Sequence, residues 1–136
     1  MLVVDASAVT ELVLRRTAAA AVERHLARDI DALHAPHLLD IEVLSALRRI
    51  VAVGEASPER AERALADFLD LPLTRHAHSV LAPRIWTLRN NLSAYDAAYV
   101  SLAEILAEAD GALLTADGRL ARAAAKHSDA EVVLVS

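Results

Sequence analysis

The chain has 136 residues, and its 14 Lys and Arg against 19 Asp and Glu give a formal net charge of −5. This length is typical of one domain, and a hydrophobic fraction of 55% excludes intrinsic disorder. The absence of cysteine excludes a disulfide framework, a zinc–thiolate site and a cysteine nucleophile. The negative charge and the 3% of aromatic residues argue against a basic or base-stacking nucleic-acid surface, so a contact with phosphates would need a cation.

No apolar run reaches the length of a membrane span, and the N-terminus lacks the pattern of a signal peptide. We therefore expect a soluble, cytoplasmic protein in which residues 1–136 form a single domain. We expect no contact with a membrane.

The first half of the chain alternates strand and helix patterns. Leu2-Val3-Val4 is a short apolar run typical of a buried strand. Gly54 is expected to end a long helix, since glycine favours the position after a helix C-terminus. The expected elements are a strand at 2–4, helices at about 7–14 and 17–28, an extended stretch at 34–36 and a helix at 38–53.

The second half continues the alternation. Ser57-Pro58 is a typical helix start. Pro83 is expected in the first turn of a helix through Trp86, where its missing N–H does no harm. The further expected elements are a helix from 58, strands at 71–74, 112–115 and 132–135, helices at 93–107 and 120–126, and a turn at Asp117-Gly118. Such alternation indicates a parallel sheet covered on both faces, which binds ligands at the carboxyl ends of its strands.

Two acids follow predicted strands. Asp5 comes directly after the first strand, and taken alone it is best explained as the N-cap of the next helix. Asp117 comes two residues after Thr115, and Asp-Gly is an ordinary turn. Both acids nevertheless lie at strand carboxyl ends, where a ligand is expected.

Two further acids lie on predicted helices. Glu42 is next to an apolar stripe, and either a functional role or an ion pair with Arg49 would explain it. Asp96 follows Ser93 at the spacing of a capping box, and a cap and a site are compatible there. If Asp96 faces other carboxylates, Asp96→Asn is expected to melt at the same or a higher temperature in EDTA.

The four acids together suggest more than each one alone. Oxygen ligands without histidine or cysteine suit Mg²⁺ or Mn²⁺. Clustered carboxylates repel one another, so a cation is needed to hold them together. Metal ions bound by carboxylates support attack on phosphodiesters.

Four segments then occur in a familiar order, namely Asp5-Ala-Ser7, Leu39–Arg48, Arg84–Tyr99 and Leu113–Asp117. Together they closely resemble the PIN-domain ribonucleases of the VapC-like type II toxin family, over essentially the whole chain. The resemblance implies a three-layer α/β/α fold with a central, mostly parallel sheet of four or five short strands. It also implies a Mg²⁺-dependent endoribonuclease, with Mn²⁺ as a substitute, that a cognate antitoxin neutralises. The catalytic and metal-binding residues of the family correspond to Asp5, Glu42, Asp96 and Asp117.

The sequence argues against several other kinds of site. The six histidines form no zincin motif, and His76-x-His78 is a loop or strand end rather than a ligand pair. With three glycines in all, the sequence has no Gly-rich phosphate-binding loop, and the acids do not follow a receiver or haloacid-dehalogenase pattern. Two alternatives stay open: a catalytically silent PIN-fold interaction module, and a PIN-domain nuclease outside a toxin–antitoxin pair.

Secondary roles are also expected around the site. Ser7 and Thr115 either orient carboxylates or simply pack at strand ends, and Glu104 and Asp110 are taken as surface charge. Apolar residues on the third helix, together with Trp86, predict a homodimer that is further covered by an antitoxin segment near the active site. The candidates for gripping the RNA backbone are Arg15, Arg48, Arg89 and Arg119.

Overall fold

A computed structural model describes residues 1–30 and 32–136 of the chain. The strands are Leu2–Val4 (β1), Leu33–Pro36 (β2), Leu73–His76 (β3), Ala112–Thr115 (β4) and Glu131–Leu134 (β5). The helices are Ala6–Val13 (α1), Ala19–Leu26 (α2), Leu38–Ala52 (α3), Pro58–Leu69 (α4), His78–Thr87 (α5), Ala94–Leu106 (α6) and Gly118–His127 (α7), and a short 3₁₀ helix covers Ala107–Ala109.

The strands form one parallel sheet in the order β3-β2-β1-β4-β5. The chain builds outward from β1 to β3 and then returns to the other side of β1 with β4. The order therefore reverses between β1 and β4, and the carboxyl ends of these two strands form the switch point at which such sheets bind ligands. Helices cover both faces, which confirms the predicted three-layer architecture.

The core runs through the central strands and α6. Val3 and Leu113 are fully buried side by side on β1 and β4. Helix α6 contacts β1, β2 and β4, and it buries Ala97, Ala98 and Ala103. Because alanine side chains are short, α6 can lie close to the sheet. This brings the first turn of α6 within reach of the carboxyl ends of the strands.

Two predicted helix boundaries are confirmed in detail. Helix α3 ends before Gly54, whose φ of +78° is the left-handed conformation that glycine adopts without strain. Helix α4 begins after Ser57, whose hydroxyl accepts a hydrogen bond of 3.1 Å from the backbone N–H of Arg60.

Two local predictions were wrong. Pro83 lies inside α5, because this helix begins already at His78. Proline cannot donate to the carbonyl four residues earlier, but Ser79 is exposed there and solvent can satisfy its carbonyl. Asp117-Gly118 is not a free turn, since Asp117 is the N-cap of α7 and Gly118 is the first residue of that helix.

Within the described part of the chain, no helix combines the length and the apolar character that a bilayer crossing requires.

Candidate metal centre

The four predicted acids converge on one pocket at the switch point of the sheet. Asp5 follows β1 directly and Asp117 follows β4, while Glu42 projects from α3 and Asp96 from the first turn of α6. All four line a pocket of about 160 Å³. The carboxylates are therefore neighbours in space although they are dispersed over most of the sequence.

Asp5 is the most enclosed of these acids, with 4% of its surface exposed. Its Oδ1 accepts hydrogen bonds from the Ser7 hydroxyl at 2.7 Å and from the backbone N–H of Ala8 at 2.9 Å. Its Oδ2 accepts a bond of 2.6 Å from the Thr115 hydroxyl. Burial raises the pKa of Asp5, and these hydrogen bonds oppose the rise. Asp5 thus caps α1, as its position predicted, while its carboxylate also faces the pocket.

The hydroxyls around Asp5 extend into a network that joins β1 to the segment after β4. The backbone N–H of Ala116 donates to Ser7 Oγ at 2.9 Å, and that of Asp117 donates to Thr115 Oγ1 at 3.0 Å. Thr115 is fully buried. Because both hydroxyls bond to Asp5 as well, the geometry favours the orienting role of Ser7 and Thr115 over simple packing.

Glu42 is held by a residue that sequence reasoning missed. Its Oε1 accepts a hydrogen bond of 2.5 Å from the hydroxyl of Tyr99 on α6. An ion pair with Arg49 was the alternative to a functional role of this acid, and Tyr99 is the partner instead. Burial raises the pKa of Glu42, the Tyr99 bond lowers it, and the nearby charges of Asp5 and Asp96 raise it. Burial and the bond to Glu42 also raise the pKa of Tyr99, which keeps this hydroxyl protonated. The available signal was the position of Tyr99 three residues after Asp96, on the same helix.

Asp96 takes part in a helix cap and also lines the pocket. Its backbone N–H donates to Ser93 Oγ at 3.1 Å, which caps α6. Its carboxylate reaches Arg119, whose Nη1 lies 2.7 Å from Oδ2. The cap and the candidate site therefore use different groups of one residue.

Asp117 also divides its two oxygens between roles. Its Oδ1 accepts from the backbone N–H groups of Arg119 at 2.9 Å and Leu120 at 3.3 Å, which caps α7. Its Oδ2 lies 3.3 Å from Nη2 of Arg119. One guanidinium therefore bridges Asp96 and Asp117.

The donor set fits a hard divalent cation, because carboxylate oxygens are the ligands that Mg²⁺ and Mn²⁺ prefer. Among the residues that the structure describes, no three His, Asp or Glu side chains stand in a ready-made ligand arrangement. The guanidinium of Arg119 is the positive charge between two of the acids. The residues thus fit the metal in chemical type, and a cationic side chain stands where a cation is expected.

The histidines His76 and His78 and the acid Glu104 are not among the residues that line the pocket. His76 shares a hydrogen bond of 2.9 Å with His34, whereas the ring of His78 accepts from the backbone N–H of Leu38 at 2.8 Å. His76 and His78 thus have separate partners, as expected for residues that are not a ligand pair. Glu104 is more than surface charge, since it forms a two-pronged ion pair with Arg84 at 2.8 and 3.0 Å.

The arginines around the site differ from the predicted set. Arg119 contacts the acids, but Arg89 lies over the Trp86 ring at 4.5 Å and Arg15 is 3.4 Å from Glu23. A second cleft of about 370 Å³ adjoins the pocket and shares Ala6, Ser7 and Glu42 with it. Its cationic lining comes from Arg16 and Arg49, neither of which was among the arginines predicted to grip RNA.

The fold places the chain in a known class of protein. The PIN domain model matches residues 2–126, so the chain belongs to the PIN domain family. Within that family it groups with VapC ribonucleases. It is 44% identical over 123 residues to VapC ribonuclease Mb0985 of Mycobacterium bovis, covering 88% of each chain. It is 46% identical over 125 residues to ribonuclease VapC1 of Mycobacterium tuberculosis, covering 89% of each chain.

A solved structure gives the same fold. The crystal structure of PAE2754 from Pyrobaculum aerophilum superposes with a TM-score of 0.68, covering 96% of this chain and 81% of that one. At 22% identity this likeness concerns the fold alone.

Proposed function

We propose that this chain is the toxin of a type II toxin–antitoxin pair, an endoribonuclease that hydrolyses RNA phosphodiester bonds with Mg²⁺ and is neutralised by a cognate antitoxin. The observation that carries the proposal is the convergence of four carboxylates on one pocket at the switch point of a PIN domain. The names of its relatives, which are ribonucleases, support the same reaction.

In this proposal Asp5, Glu42, Asp96 and Asp117 hold the divalent cation, and Mn²⁺ can replace Mg²⁺. When bound, the metal activates a water molecule and stabilises charge on the phosphoryl oxygens. Hydrogen bonds within the chain orient the carboxylates that would bind the metal. Ser7 and Thr115 fix the Asp5 carboxylate, and the cap of α7 fixes Asp117.

The adjoining cleft is the proposed path of the RNA backbone. It shares Glu42 with the pocket. Arg49 and Arg16 line the cleft and bring positive charge to it, and Arg16 also lies 3.3 Å from Glu55. A chain of net charge −5 needs such local cations, because phosphate contacts dominate the affinity for nucleic acids.

The test is cleavage of a fluorescent single-stranded RNA by the purified protein. We expect cleavage with Mg²⁺ or Mn²⁺, no cleavage in EDTA, and poor support by Zn²⁺, for which the site offers no nitrogen or sulfur ligand. Cleavage that persists in EDTA would overturn the metal mechanism. No cleavage under any condition, with intact metal binding, would favour the silent interaction module.

We propose a homodimer as the assembly. Val80 and Trp86 on α5 are 68% and 67% exposed, and Ile41 on α3 is 68% exposed. Large apolar side chains of this kind are buried in homodimer interfaces, which typically cover more than roughly 2,000 Å² in obligate cases. A strictly monomeric species at micromolar concentration in light scattering would contradict the dimer.

Another part of the proposal is the surface to which the antitoxin binds. An apolar groove of about 310 Å³ between α3 and α4, lined by Leu44, Leu47, Val51 and Leu65 among others, is the surface that we assign to it. Co-expression with the product of an adjacent short reading frame should suppress RNA cleavage. Unaltered cleavage in its presence would leave a PIN-domain nuclease outside a toxin–antitoxin pair.

We further propose that residues 1–136 act as a single PIN domain in the cytoplasm. One continuous core, which extends from Leu2 to Val135, supports the single domain.

A further inference from the structure

We propose that Arg119 is an internal counterion of the metal centre: it holds Asp96 and Asp117 together without metal, and the divalent cation must displace it in order to bind. This inference rests on the proposed metal-dependent function. It goes beyond that function because Arg119 and the metal would compete for the same two carboxylates. It also gives Arg119 a role different from the RNA contact predicted from the sequence.

The first support is the choice of oxygens. Oδ1 of Asp117 already accepts two backbone N–H groups at the start of α7, so Oδ2 is the oxygen with the most capacity left for a metal. Arg119 donates to this same Oδ2 through Nη2. The guanidinium and a metal therefore compete for the same atom.

The second support is the contact of Arg119 with Asp96, which adds to its contact with Asp117. Nη1 of Arg119 lies 2.7 Å from Oδ2 of Asp96, so one planar fork spans acids from α6 and from the start of α7. The two acids raise the pKa of Arg119, with the bond to Asp96 as the largest cause, and the side chain keeps its charge throughout. A divalent cation that binds both carboxylates offers the same bridge with twice the charge.

The third support is the ease of release. The Arg119 side chain is 65% exposed, and its side-chain hydrogen bonds within the described residues go to Asp96 and Asp117 alone. An exposed arginine that leaves these acids returns to water, and exposed ion pairs are weak. Displacement by a metal therefore costs little, but it lowers the apparent metal affinity.

The test is calorimetric titration with Mn²⁺ alone on the purified protein, without RNA. Arg119→Gln should bind Mn²⁺ about fivefold more tightly than wild type, in line with the loss of two ion pairs made by an exposed arginine. The matched control is Arg122→Gln, which removes the same charge from the same helix at an exposed position. It should change the affinity by less than about twofold at 0.15 M salt, where exposed charges are screened.

A second measurement follows the displaced group itself. In NMR spectra, the Nε–Hε signal of Arg119 should shift on addition of Mg²⁺ at the same concentrations that saturate the site, while that of Arg122 should not. Arg119→Lys, which keeps the charge but lacks the fork, should have an intermediate Mn²⁺ affinity and serves if the glutamine variant does not fold.

The outcomes are distinguishable. If wild type binds no Mn²⁺, both the metal centre and this inference are overturned. If wild type binds Mn²⁺ but Arg119→Gln binds it equally or more weakly, the metal centre stands and Arg119 is not a competitor.

Discussion

The hydroxyl of Tyr99 donates a hydrogen bond of 2.5 Å to Oε1 of Glu42 and thereby links α6 to α3 across the acidic pocket. Tyr99 is 2% exposed, so the donor of this bond is shielded from solvent. It supports the charged form of an acid that burial alone would push towards protonation.

Tyr99→Phe should therefore weaken both the fold and the metal centre. We expect a loss of about 1.5–3 kcal/mol in unfolding free energy, the range for a hydrogen bond to a charged group. The pKa of Glu42 should rise further, so Mn²⁺ binding should weaken more at pH 6 than at pH 8. Denaturant melts and titrations at both pH values measure these effects. Tyr95→Phe on the same helix is the control, since Tyr95 is 65% exposed. Equal behaviour of the two variants would remove Tyr99 from the site.

Thr115→Val tests the support of Asp5. Valine has nearly the same shape but loses the hydroxyl that donates to Asp5 and accepts from the backbone of Asp117. We expect a loss of about 2 kcal/mol in stability together with weaker metal binding. Thr115→Ser keeps the hydroxyl and should cost only about 1 kcal/mol for the lost methyl group, with metal binding retained. If Thr115→Val retained the metal affinity of wild type and Thr115→Ser lost it, the Thr115 hydroxyl would have no role in orienting Asp5.

The effect of Asp96→Asn on stability should depend on whether Arg119 is present. The repulsion argument from the sequence expects this variant to be at least as stable as wild type in EDTA, but the ion pair at 2.7 Å reverses the expectation. In the wild-type background we expect a loss of up to about 1 kcal/mol. In the Arg119→Gln background, the repulsion with Glu42 is no longer offset, so Asp96→Asn should be neutral or stabilising. A double-mutant cycle of thermal melts in EDTA checks this, and additive effects would contradict the pairing.

The contact between His34 and His76 predicts an acid-sensitive component of stability. Burial lowers the pKa of both rings from the ordinary 6.5, and their proximity lowers that of His34 further. The unfolded chain therefore binds protons first, so stability from the neutral pair is complete above pH 6.5 and is lost as the pH falls below it. His34→Gln should show a smaller loss of stability between pH 7 and pH 5 than wild type. His25→Gln should keep the wild-type slope, and an unchanged slope in His34→Gln would refute the contribution of the pair.

The sequence predicted the elements and the four acids because those signals are local. Short apolar runs marked β1 and β4, and Asp5 and Asp117 followed them directly. The contact of Tyr99 with Glu42 could not be predicted in this way, since 57 positions separate the two residues and only the packing of α6 near α3 joins them. The contact of Arg119 with Asp96 could not be predicted for the same reason, because 23 positions separate the two residues. Pro83 misled the prediction of α5, since an exposed helix face tolerates a proline that a buried one would not.

The central claim is that the four carboxylates bind the divalent cation that RNA cleavage needs. The most direct test is Mn²⁺ binding, followed by calorimetry, in wild type, Asp5→Asn and Asp110→Asn. The last variant makes the same chemical change at an exposed residue whose φ of 58° asparagine accepts readily. We predict that wild type and Asp110→Asn bind Mn²⁺ alike, and that Asp5→Asn stays folded but loses binding at least tenfold, or about 1.4 kcal/mol. Equal Mn²⁺ binding by all three proteins would contradict the account.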